Sequence, residues 1–104
     1  MLVMWPWVKL LKRKLEKNNI PHNDYVFGLC ETGHMTEEKW LNFLDRIPEG
    51  IIEIYTHPAT STSPVLARTM PDYEHSAEFR ALCSPRIKER LHKLGFQLTS
   101  FHSI

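Results

Sequence analysis

The run Ile51-Ile52-Glu53-Ile54-Tyr55 decides the fold, because all but Glu53 are branched aliphatic or aromatic strand formers. A nearly continuous apolar run of this length is typical of a strand covered on both faces, as in parallel sheets. Pro48 and Gly50 separate it from the preceding segment, and His57-Pro58 follows it. The run therefore predicts the central strand of an α/β fold.

The sequence on either side alternates between helical and extended patterns. Apolar spacing and terminators predict the following elements: helices over 7–17, 37–47, 74–83 and 85–94, a helical turn over 65–69, and strands over 24–29 and 96–101. Strands that alternate with helices pair in parallel through right-handed crossovers. About three strands form a small sheet, and central apolar strands need neighbours and helices on both faces. Residues 1–104 are therefore predicted to be one segment of a larger α/β fold.

Composition limits the class of protein. The 104 residues with 42% hydrophobic content fit one globular domain, and a net charge of +1 argues against a dedicated nucleic-acid-binding protein. Cys30 and Cys83 lack the paired spacing of a zinc or redox motif, which predicts free thiols in a reducing compartment. The apolar stretch 1–7 lacks signal-peptide features and is shorter than the about 20 residues that cross a bilayer. A cytoplasmic location is predicted.

His57 is the first candidate for chemistry, because it lies where the central strand ends. Parallel α/β folds present catalytic side chains at the carboxyl ends of their strands. Imidazole gives or takes a proton near neutral pH, so His57 suits acid–base catalysis. The alternative is that His57 only caps the strand or bonds a backbone carbonyl. Glu53 could orient a histidine, but a structural salt bridge is the prediction for its carboxylate.

The other histidines give no metal site: His22, His34, His75, His92 and His102 form neither a helical His-x-x-x-His pair nor a Cys-His zinc spacing. His34 is expected at the same rim as His57. His75 is the second candidate, because Asp72, Tyr73 and Glu74 gather beside it at a predicted helix start. Solvated residues at a helix start are the alternative interpretation.

Several stretches of the chain together resemble a known family: Asn23-Asp24-Tyr25-Val26-Phe27-Gly28-Leu29, Met35-Thr36-Glu37, Pro48-Glu49-Gly50, Glu53-Ile54-Tyr55-Thr56-His57-Pro58-Ala59, and Ala67-Arg68-Thr69-Met70-Pro71-Asp72-Tyr73-Glu74-His75. Glu78, Leu82 and Ser84-Pro85-Arg86 extend the match. The chain resembles the C-terminal part of YdjC-like carbohydrate deacetylases, most closely the branch associated with hopanoid biosynthesis.

This resemblance implies a distorted (β/α) barrel that removes the acetyl group from an N-acetylated sugar, with a divalent metal that activates water. In the family, an aspartate of an N-terminal Asp-Asp pair and later histidines hold the metal. Those motifs are absent from this sequence, so no metal is expected to bind this segment alone. His57 matches the histidine expected to protonate the departing amine or stabilise the tetrahedral intermediate. Tyr73, His75 and Glu78 match the family pattern, and contact with the sugar is predicted for them.

The primary hypothesis is therefore the C-terminal part of an N-deacetylase, inactive without its N-terminal barrel half and acting on an N-acetylated sugar or glycolipid. The rival hypothesis is a non-catalytic assembly or binding module, in which an exposed sheet edge promotes self-association or pairing with the absent half. A third hypothesis makes the basic helix a membrane or nucleic-acid contact, through Lys9, Lys12, Arg13 and Lys17.

Overall fold

Five α-helices and two short strands form the regular structure of the chain in a computed structural model, which describes residues 4–61 and 63–104. In chain order they are α1 (Trp5–Lys17), β1 (Tyr25–Phe27), α2 (Glu37–Leu44), β2 (Ile52–Ile54), α3 (Pro64–Thr69), α4 (His75–Leu82) and α5 (Pro85–Lys93), followed by a 3-10 turn at Phe101–Ser103. The helices and the first two strands lie where the sequence predicts them, with shorter strands.

The two strands pair in parallel, as the alternation of strands and helices predicts. Tyr25 lies opposite Ile52 and Phe27 lies opposite Ile54. The entry to the pair is fixed by Asp24, whose main-chain N–H donates to the Ile51 carbonyl at 2.7 Å and whose carboxylate accepts from the Ile51 N–H at 2.8 Å. Both strands therefore end at the same edge of the sheet, where residues 28 and 55 continue the chain.

The predicted strand over residues 96–101 is wrong for the described chain, since this segment is irregular and ends in the 3-10 turn. Leu98 is 80% exposed. Phe96 and Leu98 do line an apolar groove of about 390 Å³ together with Ile52 and Ile54, but the segment forms no ladder with β2. The alternating pattern gives this segment a propensity for strand formation. A strand also needs main-chain partners along its length, and this segment has no such partner strand in the described chain.

Local sequence signals explain where the later helices begin and end. The Ser63 hydroxyl accepts from the Leu66 N–H at 3.2 Å, and the Ser84 hydroxyl accepts from the Ile87 N–H at 3.4 Å. A proline occupies the first turn of both helices, α3 and α5. Gly95 follows α5 with a φ of +80°, the left-handed conformation that ends helices. The predicted helical turn over 65–69 is thus confirmed as α3.

The core lies between α2, α4 and α5. Its buried side chains are Met35, Trp40, Leu44, Ala81 and Ile87, and Ile54 of β2 packs against them. The sheet is covered only in part, because Tyr25 and Val26 remain 44% and 42% exposed. The expected cover on both faces is therefore not seen within residues 4–61 and 63–104.

α1 is amphipathic as predicted but lies apart from this core. None of its residues, all within the described chain, is buried, and Trp5 and Trp7 are among its exposed apolar side chains. Cys30 and Cys83 are both exposed and free, which confirms the thiol prediction. Among the helices of the described chain, none combines the length and apolar character needed to cross a membrane.

Candidate active site at the end of the second strand

His57 lies just beyond β2 and is held through its main chain from two directions. Its N–H donates to Oε1 of Glu78 at 3.3 Å. Its carbonyl oxygen lies 2.6 Å from Nδ1 of His75, and because a carbonyl only accepts, the ring nitrogen is the donor. His75 and Glu78 both belong to the first turn of α4. The helix start therefore fixes the main chain that carries the His57 ring.

Two tyrosines pack against that ring. The Tyr55 ring meets the His57 ring at 4.7 Å between centroids and 89° between planes, and the Tyr73 ring meets it at 5.0 Å and 67°. Such edge-to-face contacts are the favoured geometry of aromatic pairs. His57 and Tyr73 are each half-buried, so this aromatic site is open to solvent on one side.

Gly33 provides the space in which Tyr73 lies. Its φ is +82°, and a Cβ at this position would lie 2.5 Å from the Tyr73 ring. The Gly33 carbonyl also accepts from the Glu74 N–H at 2.7 Å, which joins this loop to the residue before α4. A glycine is therefore required for both the backbone conformation and the approach of the tyrosine.

Buried polar atoms without partners gather at this site. Within residues 4–61 and 63–104 they include Nδ1 of His57, Nε2 of His75 and Oε2 of Glu78. Unpaired buried polar atoms are rare in folded proteins and call for a physical explanation. Here they belong to two imidazoles and one carboxylate, which are groups that exchange protons.

Comparison with known families identifies the chain. The family model described as YdjC-like protein matches residues 2–93. The chain belongs to the YdjC-like family. This family is carbohydrate deacetylase-like, so the resemblance found in the sequence is confirmed at the level of the family. No curated protein and no solved structure matches the chain.

Metal-ligating side chains do not form a cluster in the part of this YdjC-like chain that the structure describes. No group of three or more His, Cys, Asp or Glu side chains in the described ranges, 4–61 and 63–104, could hold one. His57, His75 and Glu78 meet instead through the main chain of His57, with His75 Nδ1 already donating to a carbonyl.

Glu53 is placed differently from the sequence prediction. Its Oε2 accepts from the side-chain amide of Asn23 at 3.2 Å. No ion pair involves Glu53 among the residues that the structure describes, so the predicted salt bridge is replaced by a neutral partner. The carboxylate beside His57 is that of Glu78.

The predicted site residues His57, Tyr73, His75 and Glu78 all come together in this YdjC-like chain. The sequence analysis did not predict that His75 and Glu78 both hydrogen-bond the main chain of His57, although their i, i+3 spacing places them on one helix face. It also missed Gly33. His34 does reach this rim, with its Nδ1 2.8 Å from Oε2 of Glu74, on the exposed side of the site. Direct contact of Tyr73, His75 and Glu78 with a sugar stays a prediction.

Proposed function

We propose that this chain supplies the proton-donating side of a carbohydrate N-deacetylase site, with His57 as the catalytic residue. His57 protonates the amine that leaves the sugar, or stabilises the tetrahedral intermediate that precedes its departure. The observation that supports this role is a strand-end histidine whose main chain is hydrogen-bonded by two side chains and whose ring packs against two tyrosines. A positioned, partly open imidazole suits general acid catalysis.

The substrate proposed is an N-acetylated amino sugar, with N-acetylglucosamine on a hopanoid precursor as the specific candidate. The sugar class rests on membership of the YdjC-like family, and the hopanoid acceptor rests on the motif resemblance alone. Tyr73 is the side chain proposed to contact the sugar, because it is half-buried and lies beside the His57 ring. His75 and Glu78 are buried, which favours a positioning role for them.

The proposal assigns the metal and the aspartate base to an N-terminal barrel half that this chain would complete. A divalent ion there would supply the activated water. The described residues of this chain offer no such ion a ligand set, so the chain alone is expected to be inactive. The half-covered sheet supports a complementary segment, because Tyr25 and Val26 leave apolar surface for it to cover.

An acetate-release assay on an N-acetylglucosamine substrate tests this function. The samples are the 104-residue chain alone and the chain combined with the metal-binding half of a YdjC-like protein, each with and without His57→Ala. Activity is expected only in the combined sample, and His57→Ala should lower kcat by about 10²- to 10⁴-fold. His92→Ala is the matched control, since His92 is exposed on α5. Activity of the short chain alone, or full activity of His57→Ala, would overturn the proposal.

An assembly module without catalysis is the second candidate, and the exposed β1 residues favour it. A two-stranded sheet leaves main-chain groups at its edges that can pair with another strand. Size-exclusion chromatography over a range of concentrations distinguishes the candidates. If the chain self-associates and does not bind the complementary half, the assembly module is supported. If the chain is a monomer and binds that half, the divided enzyme is supported.

A further inference from the structure

Glu78 is a buried carboxylate with only one of its oxygens engaged. The residue is 0% exposed, and Oε1 accepts from the His57 N–H at 3.3 Å. Oε2 is also buried and has no hydrogen-bond partner among the residues that the structure describes. A carboxylate removed from water needs N–H or O–H donors for both oxygens. The question is which neighbouring group provides the second donor.

The described residues hold three unpaired buried side-chain nitrogens, Nε1 of Trp40, Nε2 of His75 and Nδ1 of His57, and of these residues only His57 already bonds the Glu78 carboxylate, through its main-chain N–H. The His75 ring already uses the proton on its Nδ1 to donate to the His57 carbonyl at 2.6 Å. A neutral His75 therefore has no proton on Nε2, and it could donate to Glu78 only as a buried cation. His57 can donate from Nδ1 while its ring is neutral. The second arrangement needs no additional proton on either ring.

We infer that Glu78 is a positioning residue that holds His57 in the tautomer with its proton on Nδ1. Oε1 accepts from the main-chain N–H, and a torsional adjustment of the two side chains lets Oε2 accept from Nδ1–H. The carboxylate is already anchored on the main chain of His57 through Oε1. The Tyr55 and Tyr73 rings pack edge-to-face against the His57 ring.

This tautomer leaves Nε2 as the nitrogen that handles the reacting proton. In the protonated ring, Nε2–H gives its proton to the amine nitrogen as the C–N bond breaks and the electron pair of that bond passes to nitrogen. The ring is then neutral and keeps its proton on Nδ1. This catalytic consequence rests on the proposed function, whereas the tautomer itself does not.

Glu78→Gln changes the tautomer without changing the shape of the side chain. The amide oxygen must still accept from the His57 N–H, so the amide NH₂ occupies the place of Oε2. An NH₂ group only donates, and Nδ1 of His57 must then accept. The neutral ring then carries its proton on Nε2. In this tautomer Nε2 cannot take up the further proton that the ring later donates to the amine.

Long-range ¹H–¹⁵N NMR of the histidine rings in the 104-residue chain, at a pH where they are neutral, tests the inference. We expect His57 as the Nδ1–H tautomer in the native chain and as the Nε2–H tautomer in Glu78→Gln. Glu74→Gln is the matched control, because Glu74 bonds His34 and should leave His57 unchanged. The His57 signals are assigned by their loss in His57→Gln.

An Nε2–H tautomer for His57 in the native chain, a doubly protonated His75, or no change in Glu78→Gln would overturn the inference. If Glu78→Gln does not fold, as judged from its amide spectrum, the native spectrum decides alone. In the combined enzyme, Glu78→Gln should lower kcat and kcat/KM equally, by about 10²- to 10⁴-fold, with KM unchanged. Full activity of His57→Ala would refute the proposed function. It would not affect the NMR result or the inferred hydrogen bond between Glu78 and His57.

Discussion

The side chain of His75 and the main chain of His57 are joined by a hydrogen bond of 2.6 Å from the ring Nδ1 to the carbonyl oxygen. The main-chain carbonyl of His75 in turn accepts from the Ala59 N–H at 3.2 Å. The start of α4 and the loop after β2 therefore hold each other in place. It follows that the position of the His57 ring depends on α4 as much as on the strand.

Removal of the His75 ring should loosen this loop. His75→Ala leaves the part-buried His57 carbonyl without its donor, and we expect a loss of about 1–3 kcal/mol in the free energy of unfolding. His75→Asn is the matched variant, because its amide N–H can take the place of Nδ1–H and should recover part of that loss. Urea unfolding of both variants measures the difference. Equal losses would show that the ring acts through packing alone.

The absence of a side chain at Gly33 should also be necessary for the stability of this site. Gly33→Ala places a Cβ 2.5 Å from the Tyr73 ring at a φ of +82°. Gly95→Ala is a close control, since Gly95 has a φ of +80° and nothing within 4 Å of its added Cβ. We expect Gly33→Ala to cost about 1–3 kcal/mol more than Gly95→Ala, because only the first forces a side chain to move.

Thermal or urea unfolding gives this comparison directly. In the combined enzyme, Gly33→Ala should also lower deacetylation, since Tyr73 no longer lies against His57. If the two alanine variants are equally stable, the Tyr73 ring adapts to the added methyl group at no cost.

Ile87 rather than the Arg86–Glu37 ion pair should hold α5 on α2. Arg86 reaches Glu37 at 2.7 Å, but its side chain is 74% exposed. Ile87 is 5% exposed and belongs to the core. We expect Ile87→Ala to cost about 2–5 kcal/mol, and Arg86→Ala at most about 1 kcal/mol. Unfolding at low and high salt measures both, and a large salt-dependent loss for Arg86→Ala would contradict the expectation.

The features that the sequence could predict are those that depend on neighbours along the chain. Ser63 and Ser84 cap helices within their own first turns, and Gly95 ends α5 through its own backbone conformation. The hydrogen bond between Glu78 and the main chain of His57 could not be predicted in the same way. It joins residues 21 positions apart and exists only after α4 has docked against the end of β2.

Glu53 shows the same limit for a carboxylate. Its charge in an apolar strand predicts an ionic partner, but the side chain that reaches it is the neutral amide of Asn23. Glu53→Gln keeps an oxygen that can accept from this amide, so we expect a loss below about 1 kcal/mol that is insensitive to salt. Urea unfolding at two ionic strengths checks this, and a larger loss that salt reduces would point to an ion pair.

Residues 96–101 provide the sharpest test of the divided-enzyme proposal. Their alternating pattern predicts a strand, yet the main-chain N–H groups of residues 97–100 have no hydrogen-bond partner in the described chain. If a complementary barrel half covers the sheet, these residues can gain main-chain partners and become a strand. We expect hydrogen exchange at residues 97–100 to be fast in the chain alone and slower when that half is bound. The amides within α5 serve as the control, because their helical hydrogen bonds are present in both states. Fast exchange in an active combined enzyme would mean that the strand pattern has no structural role, whereas protection in the chain alone would mean that it pairs without the complementary half.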